Sequence, residues 1–348
     1  MTTVFLVGAG AVGRRAAWQL AETEGVEHIL VADRVHARAD EAADVLGSRA
    51  RVVDWSPDDR LPPGVGVVAV AVNGSSERAI AERAIEAGVP MAGCADDSEG
   101  VRSLLDLDDA AREAGVALAV GCGLAPGLSD VLARHAANVL EVVEEVHVAR
   151  AGSAGAACLR SLDRSGRGAA FEWRDRAWVR QRAGSGRQLV WFPAPVGSRD
   201  CRRAGSGQAP LLVDALPRLT RVSMRVASAT VRRSVFDVMS GLGTPAVPGG
   251  PDRRRRDLDG EWGAVCVEVR GRRGRSEEIL VYGAVDRMAF AAGTVLTLAA
   301  LWLAGLGPAP VTQVGAHGLG ALVDPVLFLG ELARRGVKAA VFEGVSGS

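Results

Sequence analysis

The chain has 348 residues, 48% of them apolar, with 41 basic and 41 acidic side chains and no formal net charge. That length holds two domains, and the balanced charge supplies no global field to draw the protein to nucleic acid or an anionic membrane. Five scattered cysteines without a C-x-x-C pair, and five histidines without H-x-x-x-H or H-E-x-x-H spacing, argue against a disulfide framework and a zinc site and suit a reducing cytoplasm.

The first stretch carries the strongest signal. Val4-Phe5-Leu6-Val7 reads as a buried parallel strand, followed by Gly8-Ala9-Gly10-Ala11-Val12-Gly13 and the opening of a helix at Arg14. In such a G-x-G-x-x-G turn the first glycine permits the tight exit from the strand. The second lets a pyrophosphate approach the backbone, and the third lets the helix pack on the sheet. The N–H groups at Ala11, Val12 and Gly13 then face the phosphates at the positive end of the helix. A second apolar strand, His28–Ala32, ends in Asp33, about twenty residues past the last glycine, where a dinucleotide site needs an acid. A carboxylate there accepts hydrogen bonds from both adenosine ribose hydroxyls and repels a 2′-phosphate, which favours NAD. Arg34 follows directly and keeps NADP open.

Downstream, strand and helix alternate. A helix is expected over 37–46, a short strand at Arg51–Asp54, an apolar strand at Gly66–Val72, a helix over 76–87, a strand at Val89–Ala92, a helix over 99–114 and a strand at Val116–Val120. This alternation predicts a Rossmann-type doubly wound parallel sheet in which ligands lie at the carboxyl ends of the strands. Asp54 and Asn73 fall at such ends, near the adenine and the nicotinamide ribose respectively. Each is equally an ordinary turn former or helix cap.

From 144 to 279 the β-branched runs at 144–150, 189–192, 222–226 and 265–269 suggest an antiparallel sheet packed on helices such as 209–216. Arg253–Arg256 are flanked by acids and read as a solvated loop. Residues 288–308 carry no charge, which is about the length of a spanning helix. Their Ala, Gly and Thr content reads instead as a helix buried between domains. Helix over 322–335 and a short strand at 338–342 close the chain.

The stretch Gly121-Cys122-Gly123-Leu124-Ala125-Pro126-Gly127-Leu128-Ser129-Asp130 resembles the hinge of the saccharopine dehydrogenase family, where the chain leaves the coenzyme domain. Val31–Arg34, Ala84–Val89, Trp191–Gly197 and Asp324–Leu329 resemble further segments of that family. The resemblance implies an NAD(P)-dependent enzyme with a coenzyme domain at 1–122, a substrate and dimerisation domain at 123–287, and a helical segment at 288–348 that returns to the coenzyme domain. The second domain is then α+β with an antiparallel sheet, and the protein a cytoplasmic homodimer acting on a small molecule. The reactions implied move hydride to or from a C–N centre, imine or amine, of an amino-acid-like substrate. Asp130, where many members have Asn or His, and Ala284–Met288, where a Thr-x-Gly-x-Pro stretch is usual, depart from the pattern.

Several residues are candidates for the chemistry. Cys122, at the hinge, either hydrogen-bonds the substrate nitrogen or fills space. Asp96 and Asp97 follow the fifth strand, where a carboxylate holds a substrate ammonium, relays a proton, or caps the next helix. Backbone N–H groups at Gly127 and Leu128 suit a substrate carboxylate, as does the guanidinium of Arg160. His135 and Tyr282, the only tyrosine, read as structural. No metal is expected. Two other functions stay open: a dinucleotide-binding sensor or structural protein without redox turnover, and a homospermidine-synthase-like transferase that uses NAD transiently.

Overall fold

The computed structural model describes residues 1–72, 76–227 and 261–343. The leading part runs β1 (Thr2–Val7), α1 (Ala11–Ala21), β2 (Val26–Ala32), α2 (His36–Leu46), β3 (Ala50–Val52), β4 (Val65–Val70), α3 (Ser76–Glu86), β5 (Met91–Gly93), α4 (Ser98–Leu105), α5 (Asp108–Glu113) and β6 (Ala117–Val120). The middle runs α6 (Leu128–Ala137), β7 (Val142–Ala151), α7 (Ala156–Ser165), β8 (Ala169–Arg174), β9 (Ala177–Arg182), β10 (Gln188–Trp191), β11 (Ser198–Arg203), α8 (Gln208–Ala215), β12 (Arg221–Ala227), β13 (Trp262–Arg273) and β14 (Ser276–Arg287). The end runs α9 (Met288–Leu303), β15 (Gly315–Gly318), α10 (Leu319–Leu322), α11 (Pro325–Arg334) and β16 (Ala339–Glu343).

The first sheet has the order β15-β6-β5-β4-β1-β2-β3, and every pair in it is parallel. Its central strands are apolar throughout because both faces are covered. Val4 and Leu6 join Ala16, Leu20 and Val295 in one core, while Phe5 and Val7 join Ile80, Ala84 and Leu104 in another. The chain therefore has the doubly wound sheet expected of it.

In α9 all residues but Phe290 and Leu303 are buried. Gly293 faces α1 so closely that a Cβ there would lie 2.7 Å from Arg15 Cβ and 2.9 Å from Val12 O. Thr297 donates to the Ala16 carbonyl at 3.2 Å. Among the described residues no helix is long and apolar enough to cross a membrane. The uncharged run is an interior helix that braces the glycine-turn helix from behind.

The second sheet has the order β10-β11-β12-β7-β13-β14-β16, with the β8–β9 hairpin attached to β12. It is mixed rather than purely antiparallel, because β12 runs parallel to β7. The intervening chain, with α7, a hairpin, two strands and α8, is long enough for the crossover that a parallel pair needs. Val146 and Val148 of β7, Val222 and Met224 of β12, and Val265, Val267 and Val269 of β13 share one core with the first sheet and with Leu128, Leu132 and Leu212.

Three local differences have physical causes. The single helix expected over 99–114 is broken into α4 and α5, because the Asp108 carboxylate is drawn to the Ala316 N–H at 2.9 Å and to Arg112 at 2.8 Å. The polar, arginine-rich stretch 156–182 forms α7 and the β8–β9 hairpin, where buried Glu172 pairs with Arg174 and Arg203. The terminal segment serves both sheets, β15 pairing with β6 and β16 with β14. Arg253–Arg256 lie outside the described residues.

Candidate coenzyme and substrate site

The turn after β1 is built by its glycines. Gly8 has φ +101°, and a Cβ on it would lie 2.8 Å from both Ala71 O and Val72 Cγ1 at the exit of β4. A Cβ on Gly13 would collide with the Gly8 carbonyl oxygen, so only glycine lets α1 start this close to the strand. Gly10 differs from both, since nothing lies within 4 Å of the place its Cβ would take. Gly10 is also the N-cap of α1 and offers no side-chain acceptor, so the first N–H groups of the helix point into that space. Open backbone, uncapped donors and a positive helix end together fit a diphosphate.

Asp33 is tied into the same turn. One carboxylate oxygen accepts from Ala9 N and the other from Val35 N, both at 2.8 Å. The side chain is half-buried with lone pairs to spare, as a group that accepts ribose hydroxyls must be. Arg34 is exposed, and Asp54 follows β3 on the exposed surface. Asn73 lies outside the described residues.

The carboxyl ends of β5 and β6 carry the other candidates. Asp97 is the N-cap of α4, its carboxylate accepting from Gly100 N at 2.8 Å. Cys122 is fully buried; its thiol donates to Ala119 O at 3.3 Å, and burial pushes its pKa far above the ordinary value. The N–H groups of Gly127 and Leu128 donate within the hinge, the first to Asp130 Oδ2 at 3.1 Å and the second to Gly123 O at 2.9 Å. Arg160 is exposed on α7.

The guanidinium in the interior is Arg150. It donates to Asp96 Oδ2 at 3.1 Å and to Ala125 O of the hinge at 2.8 Å, while its Nε is buried without a partner. Asp96 is a junction: its other carboxylate oxygen accepts from Ser161 of α7 at 2.7 Å, and its carbonyl accepts from Gly207 N at 3.0 Å. One acid at the end of β5 thus gathers β7, α7 and the loop before α8 around the edge of the first sheet. Arg150 occupies the same register as Val146 and Val148 on the buried face of β7, and that register was the signal available in the sequence.

Two further acids are buried here. Asp130 accepts from Gln208 Nε2 and from Gly127 N, and burial pushes its pKa up to about 7. Ser129 donates to Gln208 Oε1 at 2.7 Å, which completes a polar link between α6 and α8. Glu77, in the first turn of α3, is 1% exposed. It precedes Ile80, Ala81 and Ala84 on the buried stripe of that helix, so its spacing also marked it. Tyr282 and His135 pack edge to face with ring centroids 5.5 Å apart.

Residues 4–118 match the family described as the saccharopine dehydrogenase NADP binding domain. The matched span is the first sheet up to β6, and the leading part of the chain is an NAD(P)-binding domain, as the glycine turn predicts. The whole chain has the fold of saccharopine dehydrogenase (L-Glu forming) from Saccharomyces cerevisiae, with TM-score 0.63, 14% identity, and 98% of this chain and 100% of that one covered. The protein is also similar to GenD2 from gentamicin A biosynthesis, at TM-score 0.48 and 19% identity, covering 99% and 97% of the two chains. An amine dehydrogenase from Mycobacterium smegmatis gives 0.49 and 13%, covering 92% and 96%. Of these three, the yeast structure is the one whose geometry bears on the fold.

Proposed function

We propose that the chain is an oxidoreductase that transfers hydride between a nicotinamide coenzyme and the carbon of a C–N bond in a small, amino-acid-like substrate. The observation that carries this reading is the turn at Gly8–Gly13, open only at Gly10 and linked through Ala9 to the Asp33 carboxylate. The coenzyme, when bound, supplies or accepts the hydride. Gly10 and the first N–H groups of α1 hold its diphosphate, and Asp33 holds the adenosine ribose and selects NAD over NADP. The substrate domain at 123–287 contributes Arg150, which with Asp96 fixes the wall between the hinge and the end of β5. The protein's part is orientation, since hydride transfer gains most from holding donor and acceptor in a reactive pose.

Titration with NADH and NADPH, followed by turnover on amine and imine substrates such as lysine, saccharopine and diamine–aldehyde mixtures, tests the reading. Asp33→Ala is expected to weaken NADH binding by about 10- to 100-fold, the cost of losing charged hydrogen bonds, and to narrow the gap to NADPH. A protein that prefers NADPH before substitution removes the role given to Asp33; one that binds neither coenzyme removes the function.

A further inference from the structure

The buried carboxyl of Glu77 has no role in the site so far. Its Oε1 accepts from Ala95 N at 3.2 Å, and its Oε2 is buried with no hydrogen-bond partner. A Cβ on Gly93 would collide with Oε1, so the bare end of β5 is what admits the carboxyl. The strand ends are continuous from the glycine turn to this point. Gly8 lies against Ala71 and Val72 beyond β4, and Cys94 N donates to Val70 O at 3.1 Å on the next strand. A dinucleotide whose diphosphate rests at Gly8–Gly13 places its nicotinamide half across these ends.

Among the described residues, the groups that act on Glu77 are acids of its own sign or neutral groups. Asp96 and Asp97 face it from the loop after β5 and disfavour its ionisation. The thiols of Cys94 and Cys122 lie beside it at the ends of β5 and β6. Asp130 acts on Cys122 from α6. Arg150 is engaged with Asp96. A carboxylate so deeply buried, and with no countercharge among the described residues, is costlier than the protonated acid. Burial, foremost, moves its pKa well above the ordinary value. That balance reverses only when a positive charge arrives at the strand ends.

We infer that Glu77 is a charge-coupling residue for the coenzyme: neutral when the site is empty or holds the reduced nicotinamide, and ionised when it holds the oxidised, cationic ring. Binding of the oxidised form then releases the Glu77 proton to solvent, with no other bond made or broken. The affinity for oxidised coenzyme rises with pH while that for reduced coenzyme does not. The inference rests on the coenzyme reading above and is tested without substrate, so that a substrate ammonium plays no part.

Calorimetric titration of the intact protein with NAD and NADH, in buffers of unequal ionisation enthalpy, counts the protons. NAD is expected to release up to one proton per site, with its affinity rising by up to about tenfold per pH unit, and NADH to release none. Glu77→Gln keeps the shape and loses the proton, so it should abolish the release while leaving NADH affinity within about threefold. Asp130→Asn, which removes the other buried acid with a raised pKa, should leave the release intact. Infrared difference spectra of the wild-type protein should show a carboxylic-acid C=O band lost with NAD and kept with NADH, a readout that does not depend on the variants folding. Equal pH dependence for the two coenzymes, or unchanged release in Glu77→Gln, overturns the inference and leaves the coenzyme reading standing. Failure of both coenzymes to bind overturns both.

Discussion

The glycines of the first turn do different work, and single substitutions separate it. Gly10 faces open space, so Gly10→Val should fold at a cost of no more than about 1 kcal/mol, the loss of a glycine N-cap, yet it places a side chain where the diphosphate is proposed to lie. Gly13 is packed on the Gly8 carbonyl, and Gly13→Val has to push α1 away from β1 at a cost of about 1–3 kcal/mol. Thermal unfolding and NADH titration of the two variants should give one that is stable but weak in binding and one that is weak in both. Equal loss of stability in the two would mean that the space at Gly10 is not free. Asp97 carries a contrasting lesson, for its carboxylate is spent on the first turn of α4, and the acid that bonds Arg150 of the second sheet is its neighbour Asp96.

Among the elements, the edge strand β15 is fixed to both parts of the molecule by one side chain. His317 is 5% exposed; its Nδ1 meets Asp214 of α8 at 3.0 Å, and its Nε2 meets Arg112 of α5 at 3.0 Å, with Asp108 at 3.7 Å. The Asp214 hydrogen bond raises the histidine pKa above its ordinary value, and burial opposes the rise. A pKa raised on folding means that the native state holds the proton more tightly than the unfolded chain. The stabilisation is therefore full below the unfolded-state value near 6.5 and fades as pH climbs through the higher native value. The melting temperature is expected to fall by a few degrees, roughly, as pH passes through that window, and His317→Gln should flatten the fall. An unchanged slope in the variant would assign it to another group.

At the scale of the whole molecule, the described residues of the two sheets share a core and the Arg150–Asp96 ion pair. Arg150 and Asp96 have side chains 8% and 14% exposed, and breaking such a pair from one side leaves a charge without compensation. Arg150→Met should cost about 3–5 kcal/mol, whereas Arg150→Met with Asp96→Asn should recover a large part of it. Chemical denaturation of the single and double variants measures this coupling directly. Simple additivity would show that the pair does not act as a unit. The same core explains the uncharged segment at 288–308, because α9 is apolar on every side where it lies between α1, β4 and β5 on one flank and α11 on another.

The sequence by itself marked the strands of the first sheet up to β6 and the glycine turn, because those signals are local: strand period and turn glycines act within about thirty residues, whereas the edge strand β15 joins β6 from far along the chain. It also marked α9 as a buried helix, by the Ala, Gly and Thr content of an uncharged run. The tertiary structure alone decided which polar groups meet at the strand ends. Arg150 and Asp96 stand 54 positions apart, Gln208 and Asp130 stand 78 apart, and the parallel pairing of β12 with β7 depends on everything folded between them. The hinge candidates Cys122, Gly127 and Leu128 bond close by in the chain, to Ala119, Asp130 and Gly123, three to five residues away, and the depth at which the hinge is buried depends on packing. A hydrogen bond leaves no periodic trace in the chain, whereas a buried face does, and burial made Arg150 and Glu77 legible in register while their partners were not.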